Sequence, residues 1–134
     1  MAVLIHPLVV HFPIALWLTG TLFDVLAWRK SDPTFRRGAY WLVGLGLLGA
    51  AVSITFGWVD LLAAERGGVG TGVLIRHQTH SIVAYIATAA YAGNFVWRWR
   101  VENRFATGLL ILSAVGAVLI AITAFLGGEV RQVM

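Results

Sequence analysis

The chain has 134 residues, of which 59% are hydrophobic and 12% charged, and its formal net charge is +4 at pH 7. A soluble domain carries about 25% charged residues, so this chain has too little polar surface to cover a globule in water. The composition predicts a single domain, residues 1–134, that crosses a lipid bilayer several times. Cysteine is absent from the sequence, which excludes disulfides, iron–sulfur clusters and covalently attached haem. The basic residues lie between apolar runs, which argues against nucleic acid as a partner.

Four apolar runs predict four transmembrane helices and hence an all-α bundle. The predicted helices cover residues of about 3–28, 40–62, 73–97 and 106–126. Pro13 lacks a backbone N–H and is expected to bend the first helix. Gly127 and Gly128 are expected to end the fourth helix. No internal repeat is apparent in the sequence.

The distribution of basic residues predicts the orientation in the membrane. The loops after the first and third helices carry Arg29, Lys30, Arg36, Arg37, Arg98, Arg100 and Arg104. The opposite side carries Arg66, Arg76 and Arg131. Because loops rich in Lys and Arg stay in the cytoplasm, both termini are expected on the periplasmic side of a bacterial inner membrane. Asp24, near the inner end of the first helix, is expected to pair with a loop arginine.

In this orientation all four histidines lie in the outer half of the membrane. His6 and His11 belong to the first helix, and His77 and His80 belong to the third. Asp60 lies at a similar level at the end of the second helix. Polar side chains within a membrane span are costly and mark functional sites, and neutral imidazole is a common metal ligand. The sequence therefore predicts that the histidines face a common ligand.

The histidine spacing leaves three kinds of site open. His77 and His80 are three residues apart and face nearly the same way, whereas His6 and His11 are separated by about 140° around a helix. The first possibility is haem b with one axial histidine from each of the two helices. The second is a compact copper, zinc or non-haem iron site, formed by the four imidazoles or by three of them with Asp60. The third is a path for protons or substrate through titrating histidines.

Haem b, in one or two copies, is the preferred interpretation. Small residues such as Ala84 follow His80 on its helix face and leave room for a flat macrocycle. His11 with His77 or His80 is expected to be the strongest axial pair, and a second haem would take His6 with the remaining histidine. The outer arginines Arg66 and Arg76 are expected to pair with haem propionates.

The segment from His6 to Ile14 reads His-Pro-Leu-Val-Val-His-Phe-Pro-Ile. With Asp24, the Gly-Trp-Val-Asp segment 57–60, the Arg-His pair 76–77 and the Gly-Gly-Glu-Val segment 127–130, it resembles a family of four-span bacterial inner-membrane proteins classed as a domain of unknown function. The resemblance covers most of the chain. It implies that His6, His11, Asp60 and His77 are the motif positions, and His80 lies outside the pattern. Some relatives are linked to Rieske or cytochrome domains, which implies redox work.

The function expected from these features is electron transfer rather than enzymatic catalysis. The expected partners are a membrane quinol or a redox membrane complex and a periplasmic electron-transfer protein. A non-haem metal-binding membrane protein and a cofactor-free helper subunit of a membrane complex are the alternatives. A ridge of small residues in the second helix, Gly49, Ser53 and Gly57, permits a homodimer.

Overall fold

The computed structural model describes residues 5–133, which form a bundle of four long helices preceded by one short turn of helix. The elements are α1 (His6–Val9), α2 (His11–Lys30), α3 (Pro33–Arg66), α4 (Thr71–Arg100) and α5 (Thr107–Val133). The predicted all-α fold is confirmed. Residues 3 and 4, where the first helix was expected to start, lie outside the described residues. The break between α1 and α2 falls at Val10, just before Pro13, whose missing N–H and ring disturb the preceding turn.

Two helix boundaries differ from the prediction for identifiable reasons. α3 begins at Pro33 rather than near residue 40, because the Asp32 carboxylate caps it by accepting a hydrogen bond from the Thr34 N–H at 2.8 Å. The same hydrogen bond holds the pKa of Asp32 below its usual value. α5 continues through Gly127 and Gly128, so the prediction that they end the helix was wrong. Gly127 instead serves helix packing, since the His80 ring lies against it.

Three stretches of the described chain are long and apolar enough to cross a membrane: His6–Lys30, Pro33–Arg66 and Thr107–Gln132. α4 has 30 residues and packs in the same bundle, but its composition is more polar. Part of this polarity points inward, because His80, Asn94 and Arg98 are all buried. The chain is therefore a membrane protein with apolar helices and one helix that carries polar groups into the bundle.

The four long helices form two antiparallel hairpins. α2 packs along α3, and α4 packs along α5, while the contacts that join the hairpins, α2 to α5 and α3 to α4, are less extensive. The hairpins are joined by a glycine-rich turn that begins at Gly67. The two hairpins are thus separate packing units held together along a looser interface.

The two hairpins share one pattern of buried positions, which the sequence analysis did not detect. Positions 74 residues apart in α2 and α4 are buried together: Pro13 and Ala87, Trp17 and Tyr91, Gly20 and Asn94, Asp24 and Arg98. Positions 70 residues apart in α3 and α5 behave likewise: Ala39 and Leu109, Val43 and Ser113, Gly46 and Gly116, Ala50 and Ile120, Ser53 and Thr123. The same pattern of burial in both hairpins indicates that they are built alike.

Glycines carry the clearest sequence match between the repeats. Gly38, Gly46 and Gly57 of α3 correspond to Gly108, Gly116 and Gly127 of α5. Rings from the preceding helix cover them in order: Phe23, Trp17 and His6 in the first hairpin, and Trp97, Tyr91 and His80 in the second. A missing Cβ lets each ring approach the helix backbone. The small-residue ridge of α3 therefore packs inside the chain, where Gly49 also meets Phe12.

Equivalent residues meet in pairs along the centre of the bundle. The Trp17 and Tyr91 rings stack with centroids 4.4 Å apart and planes 12° from parallel. Asp24 and Arg98 form an ion pair, and His6 lies against His80. Because equivalent residues meet only at a symmetry axis, an approximate twofold axis runs along the bundle. We call the end that holds His6 and His80 the histidine end, and the end that holds Asp24 and Arg98 the arginine end.

Candidate functional site

Three imidazole rings gather at the histidine end. The ring centroids of His6 and His80 are 6.1 Å apart, with the planes at 80°. The rings of His77 and His80 are 6.3 Å apart, with the planes at 73°. His80 is buried, with 8% of its surface exposed, and the other two are half-buried. The structure therefore brings together one histidine of the first hairpin and two of the second.

His6 and His80 are held in the same way by equivalent backbone groups. The Nδ1 atom of His6 lies 2.7 Å from the Ser53 carbonyl oxygen, and that of His80 lies 3.0 Å from the Thr123 carbonyl oxygen. Each carbonyl lies four residues before the glycine that the ring covers, Gly57 or Gly127. Without a glycine there, a side chain would crowd the ring.

This arrangement fixes which nitrogen of each ring is free. A carbonyl oxygen only accepts hydrogen bonds, so Nδ1 of each neutral ring carries the proton and donates it. Nε2 then keeps its lone pair. Histidines that bind metals usually have one ring nitrogen anchored in this way, which sets the orientation of the ring and the basicity of the other nitrogen. His6 and His80 thus have the form of two anchored ligands on opposite sides of the axis.

His77 and Asp60 make different contacts in the cluster from those of His6 and His80. The Nδ1 atom of His77 lies 3.3 Å from the Ser81 hydroxyl, a looser anchor than a carbonyl at 3.0 Å or less. The Asp60 carboxylate accepts a hydrogen bond from the backbone N–H of His6 at 3.2 Å. Asp60 therefore fixes the start of α1, and through it the position of the His6 ring.

The other predicted site residues lie away from this cluster. His11 is exposed, as is Tyr85, its equivalent in the second hairpin. The five-residue spacing turns His11 away when His6 faces the axis, so the geometry does not support its pairing with His77 or His80. Arg66 and Arg76 are also exposed. Arg131, which the sequence analysis named only among the basic residues of the outer side, lines a cavity beside the histidines.

Two cavities adjoin the histidine cluster. The smaller one, of about 50 Å³, lies at the histidine end and is lined by His6, Asp60, His77, His80 and Arg131 among others. The larger one, of about 430 Å³, lies between α3 and α4. His6, His77 and His80 line both cavities, so the rings stand at the place where the two spaces meet.

The histidine cluster suits a group that needs two protein ligands better than a metal ion that needs three or four. Within residues 5–133, no set of three or more His, Asp and Glu side chains is arranged to hold a metal ion. The compact four-histidine or three-histidine-plus-Asp60 site is thus not formed in advance. Haem iron leaves two axial positions to the protein, and His6 and His80 match that number.

A second polar cluster occupies the arginine end. Arg98, 2% exposed, pairs with Asp24 and donates from Nε to the Asn94 side-chain oxygen at 2.6 Å. Asn94 donates to the Ser113 hydroxyl at 2.8 Å, and that hydroxyl contacts Asp24 at 2.5 Å. The expected pairing of Asp24 with an arginine is confirmed. Sequence reasoning placed Arg98 in a loop, whereas it lies in the last turn of α4.

Comparison with known protein families gives a match over nearly the whole chain. A family model described as "Predicted membrane protein (DUF2231)" matches residues 2–134, which is nearly the whole chain. No curated protein matches the chain significantly, and neither does any solved structure.

Proposed function

The chain belongs to the DUF2231 family of predicted membrane proteins. Within this membrane bundle, we propose, the protein is a b-type cytochrome that holds one haem between His6 and His80. Its proposed role is electron transfer in a bacterial inner membrane, with the histidine end and both termini on the periplasmic side. One observation supports the ligand pair above all. Both rings donate Nδ1–H to equivalent carbonyls, at 2.7 and 3.0 Å, which leaves both Nε2 atoms free.

The rings of His6 and His80 lie beside each other at the axis, with centroids 6.1 Å apart. A group that takes one ligand from each hairpin would lie between them. When bound, haem would exchange one electron at its iron, at a potential that the axial ligands and their hydrogen bonds set. Ser53 and Thr123 then act through the rings, because their carbonyls raise the basicity of the ligating nitrogens.

The space between the rings must widen to admit a macrocycle. The cavity at this end measures about 50 Å³, so the two hairpins would have to separate around the axis. Their mutual contacts are less extensive than those within each hairpin, which makes such a separation the least costly opening of the bundle. Arg131 lines this space and could pair with a propionate, in place of Arg66 and Arg76.

Histidine substitution tests the proposed ligand pair. His6→Ala and His80→Ala should each reduce haem per chain at least tenfold, since each removes one axial ligand. His11→Ala is the matched control and should keep full haem content, because His11 is exposed outside the cluster. His77→Ala should also keep its haem. Haem would be quantified in detergent-purified variants whose helix content by circular dichroism matches the unsubstituted protein.

The opposite ranking would overturn the assignment. If His11→Ala lost haem while His6→Ala kept it, the axial ligands would be those expected from the sequence alone. Stoichiometric copper, zinc or iron in samples without haem would favour the non-haem metal-binding alternative. The absence of both haem and metal from well-folded protein would favour a helper subunit of a larger complex.

A further inference from the structure

The cavity between α3 and α4 extends sideways from the histidines to the outside of the bundle. Its outer wall includes Trp58, Ile82 and Tyr85, which are 52%, 50% and 39% exposed. In a membrane these side chains meet lipid, so the cavity opens into the bilayer. The volume of about 430 Å³ falls in the range of pockets for small molecules. The position therefore suits a ligand that arrives through the lipid.

The lining has a polar end and an apolar end. Glu65, His77, Gln78 and Ser81 lie toward the histidine end of the two helices, and Ile54 and Ala84 lie deeper. Within the described residues the lining includes no lysine or arginine, and it does include Glu65. A phospholipid phosphate would find no cationic partner here and would meet a carboxylate. A neutral molecule fits both ends if it has a ring that bears hydroxyl or carbonyl oxygens and an apolar tail.

We propose that this cavity binds a lipid-soluble quinol, with the ring toward His77 and Ser81 and the apolar tail directed to the bilayer. The inference rests on the proposed function for its electron acceptor. The His77 ring lies 6.3 Å from that of His80, so a quinol against His77 lies beside the proposed haem ligand. This adjacency is the reason to assign the cavity to a redox-active ligand.

The reaction that follows from this placement balances as quinol oxidation. Two O–H bonds of the quinol break, and two protons leave through the polar end of the cavity to water at the membrane surface. A haem held by His6 and His80 would accept the two electrons one at a time, and a periplasmic one-electron carrier would remove the first before the second arrives. The product is the quinone, which returns to the bilayer through the same opening.

The internal repeat supplies a matched pair of variants. Ala84 lines the cavity, and Ala84→Trp should fill much of it. Val10 is its equivalent, 74 residues earlier, and lies outside the lining of either cavity in the described structure. Val10→Trp therefore adds a similar bulk at the corresponding place in the first hairpin without blocking the proposed site.

Binding of decylubiquinone to the full-length protein in detergent micelles would be measured by calorimetry. One saturable site per chain is expected, weakened at least tenfold by Ala84→Trp and changed less than twofold by Val10→Trp. The unsubstituted protein purified without haem should still bind decylubiquinone. Stopped-flow reduction of the haem by decylubiquinol should slow at least tenfold in Ala84→Trp alone.

Two results would overturn the quinol site: no saturable binding to the unsubstituted protein, or equal effects of the two tryptophan variants. Co-purification of a phospholipid that Ala84→Trp releases would also overturn it. Failure of the proposed function looks different, because a protein that binds quinone but holds no haem would keep the site and lose the cytochrome. A haem-loaded protein without quinone binding would show the reverse.

Discussion

Neutralising one member of the buried ion pair at the arginine end should strongly destabilise the protein. The side chains of Arg98 and Asp24 are only 2% and 8% exposed. Asp24→Leu leaves the guanidinium buried without a counter-charge, and Arg98→Met leaves the carboxylate in the same situation. Removing one partner of a buried pair costs about 3–5 kcal/mol, so each single variant should lose free energy of unfolding in that range.

The double variant Asp24→Leu/Arg98→Met should be more stable than either single variant. Replacing a buried pair by apolar residues is often neutral, and Asn94 and Ser113 can still bond each other at 2.8 Å. Because each single variant loses about 3–5 kcal/mol and the double variant loses less than either, the two substitutions should couple by at least about 3 kcal/mol.

Reversible unfolding in mixed detergent micelles, followed by circular dichroism, would supply these free energies. Glu102→Gln provides the control, because the Glu102–Arg104 pair is exposed and its loss should cost about 0.5 kcal/mol or less. Additive losses in the double variant would refute the reasoning, since they would mean that the two charges do not depend on each other.

Two further predictions rest on the glycines that the rings cover. In Gly46→Ala the new Cβ would clash with Trp17 Nε1, which should cost about 1–3 kcal/mol in unfolding free energy. Gly93→Ala, whose Cβ has open space among the described atoms, should be neutral or gain up to about 1 kcal/mol. In Gly127→Leu the Cβ would lie 3.1 Å from His80 Cε1, so the ring must move and haem per chain should fall at least threefold. Gly128→Leu meets no described atom within 4 Å and should keep its haem; equal haem contents in the two variants would contradict the proposed role of the ring position.

The helices and the level of the histidines could be predicted from the sequence, because apolar runs set helix length and helix direction sets depth. The facing of individual side chains could not. His11 was expected to be a ligand from its depth, but depth does not determine which side of a helix a residue occupies. The position of His6 depends on contacts with a helix that is distant in the sequence. Its backbone N–H donates to Asp60, and its ring lies against Gly57.

The internal repeat was missed because so few residues are identical between the hairpins. His6 and His80 match, as do the three glycines of α3 and α5, but Trp17 and Phe23 correspond to aromatic rings of other kinds, Tyr91 and Trp97. Asp24 and Arg98 even have opposite charges, since they meet at the axis, where equal charges would repel. A search for a histidine followed 11 residues later by an aromatic would have found both hairpins.

The measurement that tests the central claim most directly is a dithionite-reduced minus air-oxidised absorption spectrum of the protein purified from haem-replete cells, with haem quantified per chain. Ligation by His6 and His80 predicts the sharp α and Soret bands of six-coordinate b-type haem, at one haem per chain. A flat spectrum from folded protein would contradict the account.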